Sequence, residues 1–255
     1  IIGRKLKVTM GGRLRFFGIG GAPLDREVET FLAEANFPYA IGYGLTETSP
    51  LIAGGTPKNH KVGTIGKIVK HLEVRLEEKD PNTGVGEIAV SGPSVMQGYW
   101  NNPALNEESF TSDGFFKTGD LGHIDKKGRL SIMGRTKTMI LGSGGENIYP
   151  ELIEAVINNH DFVTESLVIP EGGALVALIK LDIEAYAEKM ALSVNEAKNE
   201  ATRYINKLRE EVNKELSVFS RLSGAHLQED AFERTPIQKI KRFLYHRKKD
   251  KSEDA

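Results

Sequence analysis

The sequence predicts a protein of mixed α/β and α+β class: the truncated end of a larger α/β unit, a β-rich, barrel-like subdomain and a smaller carboxy-terminal α+β domain. Three observations predict it. Between residues 14 and 44 an apolar segment, a short amphipathic stretch and a second apolar segment follow one another, the order of a strand–crossover–strand unit. Between residues 64 and 134 lie short alternating segments separated by glycine and polar turns. From residue 136 onward come a helix, two apolar strands and one long amphipathic helix. The expected bounds are 1–62, 63–135 and 136–255.

Leu14 to Gly21 (LRFFGIGG) reads as a short buried strand ending in a glycine turn. Asp25 then stands ahead of Val28, Phe31, Leu32 and Ala35, whose spacing suggests a short helix facing a core. YAIGYGLTETSP supplies the second strand and a polar loop. Only one crossover is visible, as at the end of a larger layer. TIGKIV, LEVRLEE, GEIAVSG and GRLSIMG follow as strands, with Asn82, Gly84 and Gly86 turning one into the next. They fit a small barrel or a strongly bent sheet, interrupted by a short helix over 102–110. Past a boundary at Arg135 to Lys137, a hairpin and loop lead into a helix with Pro150 in its first turn, where a missing amide donor costs little. Phe162 to Pro170 and Ala174 to Leu181 read as strands. Ser193 caps the long helix, with Val194, Ala197, Ala201, Ile205, Leu208, Val212 and Leu216 on one side.

Composition narrows the function. The 255 residues suffice for one large core or two modest domains. A formal charge of -1 gives no global attraction to nucleic acid, and Asp250, Glu253 and Asp254 dilute the lysines and arginines near the end, so a solvated terminus is expected there. Zero cysteines exclude a disulfide, a thiolate nucleophile and a thiolate metal site, which fits a reducing cytoplasm. No apolar run reaches the roughly 20 residues that span a bilayer. Peripheral contact with a membrane stays open.

The chemistry concentrates in three places. GGAPL, Gly20 to Leu24, is too irregular for a dinucleotide fingerprint and no GxxxxGK[ST] loop exists, yet its glycines could let a flat base approach the backbone. In GYGLTETSP, Thr46 and Thr48 can donate to phosphate, while Glu47 can orient or bind Mg²⁺. In FKTGDLGHIDKKGRLSIMGRTK, Asp120 offers a carboxylate to two ribose hydroxyls and Arg135 can donate to ribose or phosphate. Each of these, taken alone, also fits an ordinary turn or surface residue.

The combination is more specific. GGAPL, GYGLTETSP, GEIAVSGPSVMQGYWNNP, GFFKTGD, GRTK, GGENIYPELIE and RTPIQKIKR stand in an order that resembles the adenylate-forming acyl-activating superfamily, closest to its long-chain fatty-acid–CoA ligases, across nearly the whole chain. The resemblance implies that Gly21, Ala22 and Pro23 form part of an adenine-binding wall with Tyr43 beside the base. It implies that Gly44 and Thr46 contact the nucleotide, Glu47 associates with magnesium, Asp120 binds ribose and Arg135 contacts the nucleotide. Lys137 matches the hinge of a mobile carboxy-terminal domain, and Lys239 the mobile lysine of adenylation, where many relatives carry glycine in place of Gln238. Gly144, Gly145 and Asn147 match the loop that approaches the CoA thiol after the domain rotates.

The implied reaction makes an acyl-adenylate from a fatty acid and ATP, with Mg²⁺, and then an acyl-CoA. The superfamily's Ser/Thr/Gly-rich phosphate loop has no match here, so the chain is expected to be the carboxy-terminal portion of such an enzyme, lacking its amino-terminal partner segment and inactive as an isolated ligase. Two alternatives stay open: an aryl- or short-chain-acid–CoA ligase fragment, and a noncatalytic nucleotide-sensing or interaction module.

Overall fold

The computed structural model describes residues 2–142, 144–236 and 239–245. The chain forms two compact units, Ile1–Lys137 and Thr138–Ala255. In the first, α1 (Ile2–Thr9) precedes β1 (Phe17–Gly20), α2 (Arg26–Glu34) and β2 (Tyr39–Gly44). β1 and β2 pair in parallel, from Phe17 opposite Tyr39 to Gly20 opposite Gly42, so α2 is the expected crossover. Asp25 caps α2, its Oδ1 accepting from the amides of Glu27 and Val28 at 2.9 and 3.0 Å.

The buried side of this unit differs from expectation. Val28 and Phe31 stand 47% and 45% exposed, and the buried residue of α2 is Glu29. Its carboxylate accepts from the Tyr39 hydroxyl at 3.3 Å and the Gly63 amide at 2.9 Å, which satisfies the charge that burial would otherwise penalise. β1 likewise alternates between half-buried and exposed positions rather than lying buried, because it pairs on one side only.

β3 (Leu51–Gly54), β4 (Gly66–Ile68), β5 (Glu73–Glu77), β6 (Gly86–Ser91), α3 (Pro103–Ser109), β7 (Phe116–Ile124) and β8 (Arg129–Arg135) complete the unit. They continue β1 and β2 in one open eight-stranded sheet, ordered β1-β2-β3-β4-β8-β7-β6-β5. The turn from β5 to β6 is organised by Asp80, whose Oδ1 accepts from the amides of Asn82 and Thr83 while Gly84, at φ +70°, donates back to the Asp80 carbonyl. Ile52, Leu72, Val90 and Phe116 form one apolar cluster, and Ala53, Ile88 and Leu130 another. Their burial locks the register of the strands that carry the candidate site residues.

The second unit holds a small hairpin, β9 (Ile140–Leu141) and β10 (Asn147–Ile148), then α4 (Pro150–Asn158), β11 (Val163–Glu171), β12 (Ala174–Leu181), α5 (Ile183–Met190), α6 (Val194–Glu215) and β13 (Leu222–Leu227). β12 is the middle strand of three, antiparallel to β11 and parallel to β13. Ser193 and Glu196 cap α6 reciprocally: Glu196 N donates to Ser193 Oγ at 3.3 Å, and Ser193 N to Glu196 Oε2 at 2.8 Å. Ala197, Ala201, Ile205, Leu208 and Val212 are its buried stripe, whereas Val194 in the first turn is exposed. Among the described residues no helix is long and apolar enough to cross a membrane.

Candidate active site

β1 and β2 run in parallel, and the chain leaves both at their carboxyl ends, where open α/β sheets hold their ligands. Gly20 lies beside Gly42, so Gly21, Ala22 and Pro23 emerge next to the end of β2. All three are exposed, and Gly21 takes φ +82° to make the turn.

Tyr43, one residue further along β2, turns its hydroxyl to Asp120 Oδ2 at 2.7 Å. Asp120 and Arg135 face each other across the β7–β8 pair, and Arg135 Nε lies 2.9 Å from Asp120 Oδ1. Two residues distant in sequence, Tyr43 and Arg135, thus converge on the Asp120 carboxylate. Asp120 is 4% exposed, while the Arg135 side chain is half exposed. Burial first, then the charge of Asp120, push the Tyr43 phenol far up, so it stays protonated and donating at physiological pH. Thr118 braces the strand: its hydroxyl donates to the Ile88 carbonyl at 2.9 Å and accepts from the Asp120 amide at 3.1 Å. A carboxylate oxygen can accept more than one hydrogen bond, the capacity that a vicinal diol would use.

Thr46, Glu47 and Thr48 form one tight helical turn after β2. Thr46 is exposed and Glu47 half-buried. Thr48 corrects the expectation that its hydroxyl serves phosphate. It is fully buried, accepts from Leu45 N at 3.1 Å and lies 2.7 Å from the Pro50 carbonyl as donor, so it closes the turn. Glu47 is held from the β6–β7 connection. Tyr99 donates its hydroxyl to Glu47 Oε1 at 3.0 Å, and Met96 N donates to the Glu47 carbonyl at 2.8 Å. Asn106 fixes Tyr99 in turn, accepting from its amide at 2.7 Å and donating to its carbonyl at 3.1 Å.

Tyr99, Asn106 and Thr118 were not separable in the sequence, since only their distant partners mark them. Replacing Tyr99 by phenylalanine removes the hydroxyl while keeping the ring, and should lower the unfolding free energy by about 1 kcal/mol. Urea denaturation measures this; an unchanged midpoint would mean that the contact does not form in solution. Among the described residues no cluster of three or more His, Cys, Asp or Glu could cage a metal. A single carboxylate suits magnesium carried in with a nucleotide's phosphates, because this ion keeps water and phosphate oxygens as ligands.

In the second unit, the loop between β9 and β10 closes on Glu146. Gly142 N donates to the Glu146 carbonyl at 2.8 Å and Gly144 N to Glu146 Oε2 at 3.2 Å. A side chain at Gly144 would lie 2.4 Å from Glu146 Oε1, and Gly145 takes φ +85°. Asn147 begins β10, paired with Leu141. Ser143 in that loop, and Gln238 and the charged terminus after Tyr245, lie outside the described residues. Lys137 is exposed and is the last residue of the first unit. Lys239 is exposed on a short hairpin, and among the described residues no carboxylate forms an ion pair with it.

The AMP-binding enzyme family matches residues 4–100. The long-chain-fatty-acid–CoA ligase FadD15 of Mycobacterium bovis is 37% identical over 187 residues, 73% of this chain and 30% of that protein. The 2-succinylbenzoate–CoA ligase of Listeria monocytogenes is 37% identical over 171 residues, 65% of this chain and 35% of that protein. The solved structure of o-succinylbenzoate coenzyme A synthetase (MenE) from Bacillus subtilis, in complex with ATP and magnesium ion, matches with a TM-score of 0.73 at 27% identity, over 94% of this chain and 49% of that one. The chain thus spans at most about half the length of these proteins.

Proposed function

We propose, from the premise that the chain belongs to the adenylate-forming AMP-binding enzymes, that it is the carboxy-terminal portion of a long-chain fatty-acid–CoA ligase. The observation that carries the nucleotide half of this reading is the convergence of Tyr43 and Arg135 on Asp120, beside the emerging Gly21–Pro23 segment. Asp120 would accept the two ribose hydroxyls and Arg135 would donate to ribose or phosphate, with the base against Gly21, Ala22, Pro23 and Tyr43. Thr46 and the Gly44 backbone would meet the phosphates. Glu47 would hold magnesium, which supplies positive charge against the phosphate oxygens when bound.

In the first step a carboxylate oxygen of the fatty acid attacks the α-phosphorus of ATP and pyrophosphate leaves. The Lys239 ammonium would stabilise the negative charge that develops there. In the second step the CoA thiol attacks the acyl carbon, AMP leaves and the thiol proton goes to solvent. The loop bearing Gly144, Gly145 and Asn147 would lie along the thiol's approach, and Lys137 would be the hinge between the two steps.

The test separates those steps in the intact enzyme. Lys239→Ala should slow ATP–pyrophosphate exchange by about 100-fold or more. Acyl transfer from a supplied acyl-adenylate to CoA should persist within about threefold. Exchange at the wild-type rate would overturn the assignment of Lys239. The shared identity with 2-succinylbenzoate ligases favours one second reading, an aryl-acid substrate. Competition between palmitate and 2-succinylbenzoate decides it, and preference for the aromatic acid would replace the fatty acid in this proposal. The isolated 255-residue chain is expected to form no acyl-CoA from palmitate, Mg·ATP and CoA.

A further inference from the structure

We infer that Arg234 and Arg242 are positioning residues, each pinning one leg of the hairpin that carries Lys239. The inference rests on the reading of Lys239 as the adenylation lysine. The hairpin itself is minimal. Arg234 and Ile240 form one antiparallel bridge, Thr235 N donates to the Lys239 carbonyl at 2.8 Å, and Lys241 N donates to the Glu233 carbonyl at 2.8 Å. Lys239 N adds a bond to Thr235 Oγ1 at 3.2 Å. So short a ribbon, outside any sheet, has little stability of its own. Its orientation must come from what its legs are tied to.

On the incoming leg, the Arg234 guanidinium is paired with Glu165 of β11. On the outgoing leg, Arg242 is paired with Glu154 of α4, with Glu151 3.6 Å away. Glu154 is buried, and its other oxygen accepts from the Val168 amide of β11 at 2.7 Å. One carboxylate therefore ties α4, β11 and the Lys239 hairpin together. Glu151 also accepts from the Thr138 hydroxyl at 2.6 Å, so the same cluster reaches the first residue of this unit. Buried Phe232 and partly buried Ile240 and Tyr245 pack on Leu167, Ile169, Val176 and Leu178. Alternation along the leg then points Lys239 outward when Ile240 points in. The planar guanidinium, with several donors held in a fixed geometry, keeps each pin directional in a way a single flexible ammonium does not.

Two measurements test this. In the 255-residue chain, Arg242→Gln or Arg234→Gln should raise hydrogen exchange at the Thr235 and Lys241 amides by about tenfold, leaving the buried turns of α6 unchanged. In the intact enzyme the same substitutions should lower kcat for ATP–pyrophosphate exchange by about 10- to 50-fold with the KM for ATP within about twofold, and leave acyl transfer to CoA intact. Arg242→Lys should recover part of the loss, and Arg234→Glu combined with Glu165→Arg more than either alone. Wild-type exchange rates in the folded variants would overturn the inference, as would equal losses in both half-reactions. If Lys239→Ala itself spares exchange, the functional reading fails while the amide measurement still decides whether the arginines hold the hairpin.

Discussion

Asp120→Ala is expected to lower the stability of the first unit by about 2 kcal/mol, and in the intact enzyme to cut adenylation by about 100-fold or more. The structural loss falls mainly on Tyr43, whose hydroxyl would stay enclosed with its acceptor gone. Arg135 contributes less, because its half-exposed side chain can turn to water. Asp120→Asn keeps one acceptor oxygen for Tyr43 and nearly the same volume, so it should recover most of the stability. It should recover little adenylation, since a neutral amide pairs poorly with both Arg135 and a diol. Denaturant unfolding of the two variants, set beside their ATP–pyrophosphate exchange rates, reads the two effects separately. Equal stability of Asp120→Ala and wild type would show that the three-residue cluster does not form; undiminished exchange in either variant would remove Asp120 from the nucleotide site.

Gly44→Ala should be still more damaging to the fold, by about 3 kcal/mol or more. A methyl group at residue 44 would lie 1.6 Å from the Pro50 carbonyl oxygen and 3.0 Å from Ile52 N. Both are backbone atoms with no rotamer to change. Relief requires opening the turn, which breaks the Leu45 N to Pro50 carbonyl bond at 2.9 Å and displaces Thr48 and Glu47 with it. Gly21→Ala is the control: that position has open space but φ +82°, so only the conformational penalty of about 1 kcal/mol applies. Similar thermal midpoints for the two variants would mean that the turn relaxes freely and that Gly44 has no steric role.

What was legible in the sequence followed the strength of local signals. The crossover through α2 was marked by Asp25 and by apolar segments on either side, and α6 by Ser193 and five buried positions at three- and four-residue steps. α1 and β13 lacked such marks: IGRKLKVT has no sustained apolar face, and LSGAHL mixes glycine, serine and histidine into a strand held by a parallel neighbour. The buried face of α2 departs from its apolar spacing because spacing shows where apolar residues lie, not what covers them. Glu29 is buried because Tyr39 and Gly63 answer its charge from elsewhere in the chain. The same limit applied to the site. Asp120 and Arg135 stood out as chemical types, but Tyr99 acts on Glu47 from 52 residues away, and Thr48 resembles Thr46 until its burial is seen.

The placement of β13 bears on how the polypeptide emerges from the ribosome. β12 is an almost wholly apolar strand, ALVALIKL, and one of its two hydrogen-bonding edges is covered only by residues 222–227. Some forty residues, including all of α5 and α6, are synthesised between them. During that interval β12 presents an unpaired hydrophobic edge of the kind that recruits other chains into aggregates. A product released early, or cut back to the end of α6, would keep that edge permanently. Clean expression of this unit therefore requires that any shortened chain extend at least to Leu227, since β12 gains that cover once residues 222–227 are made.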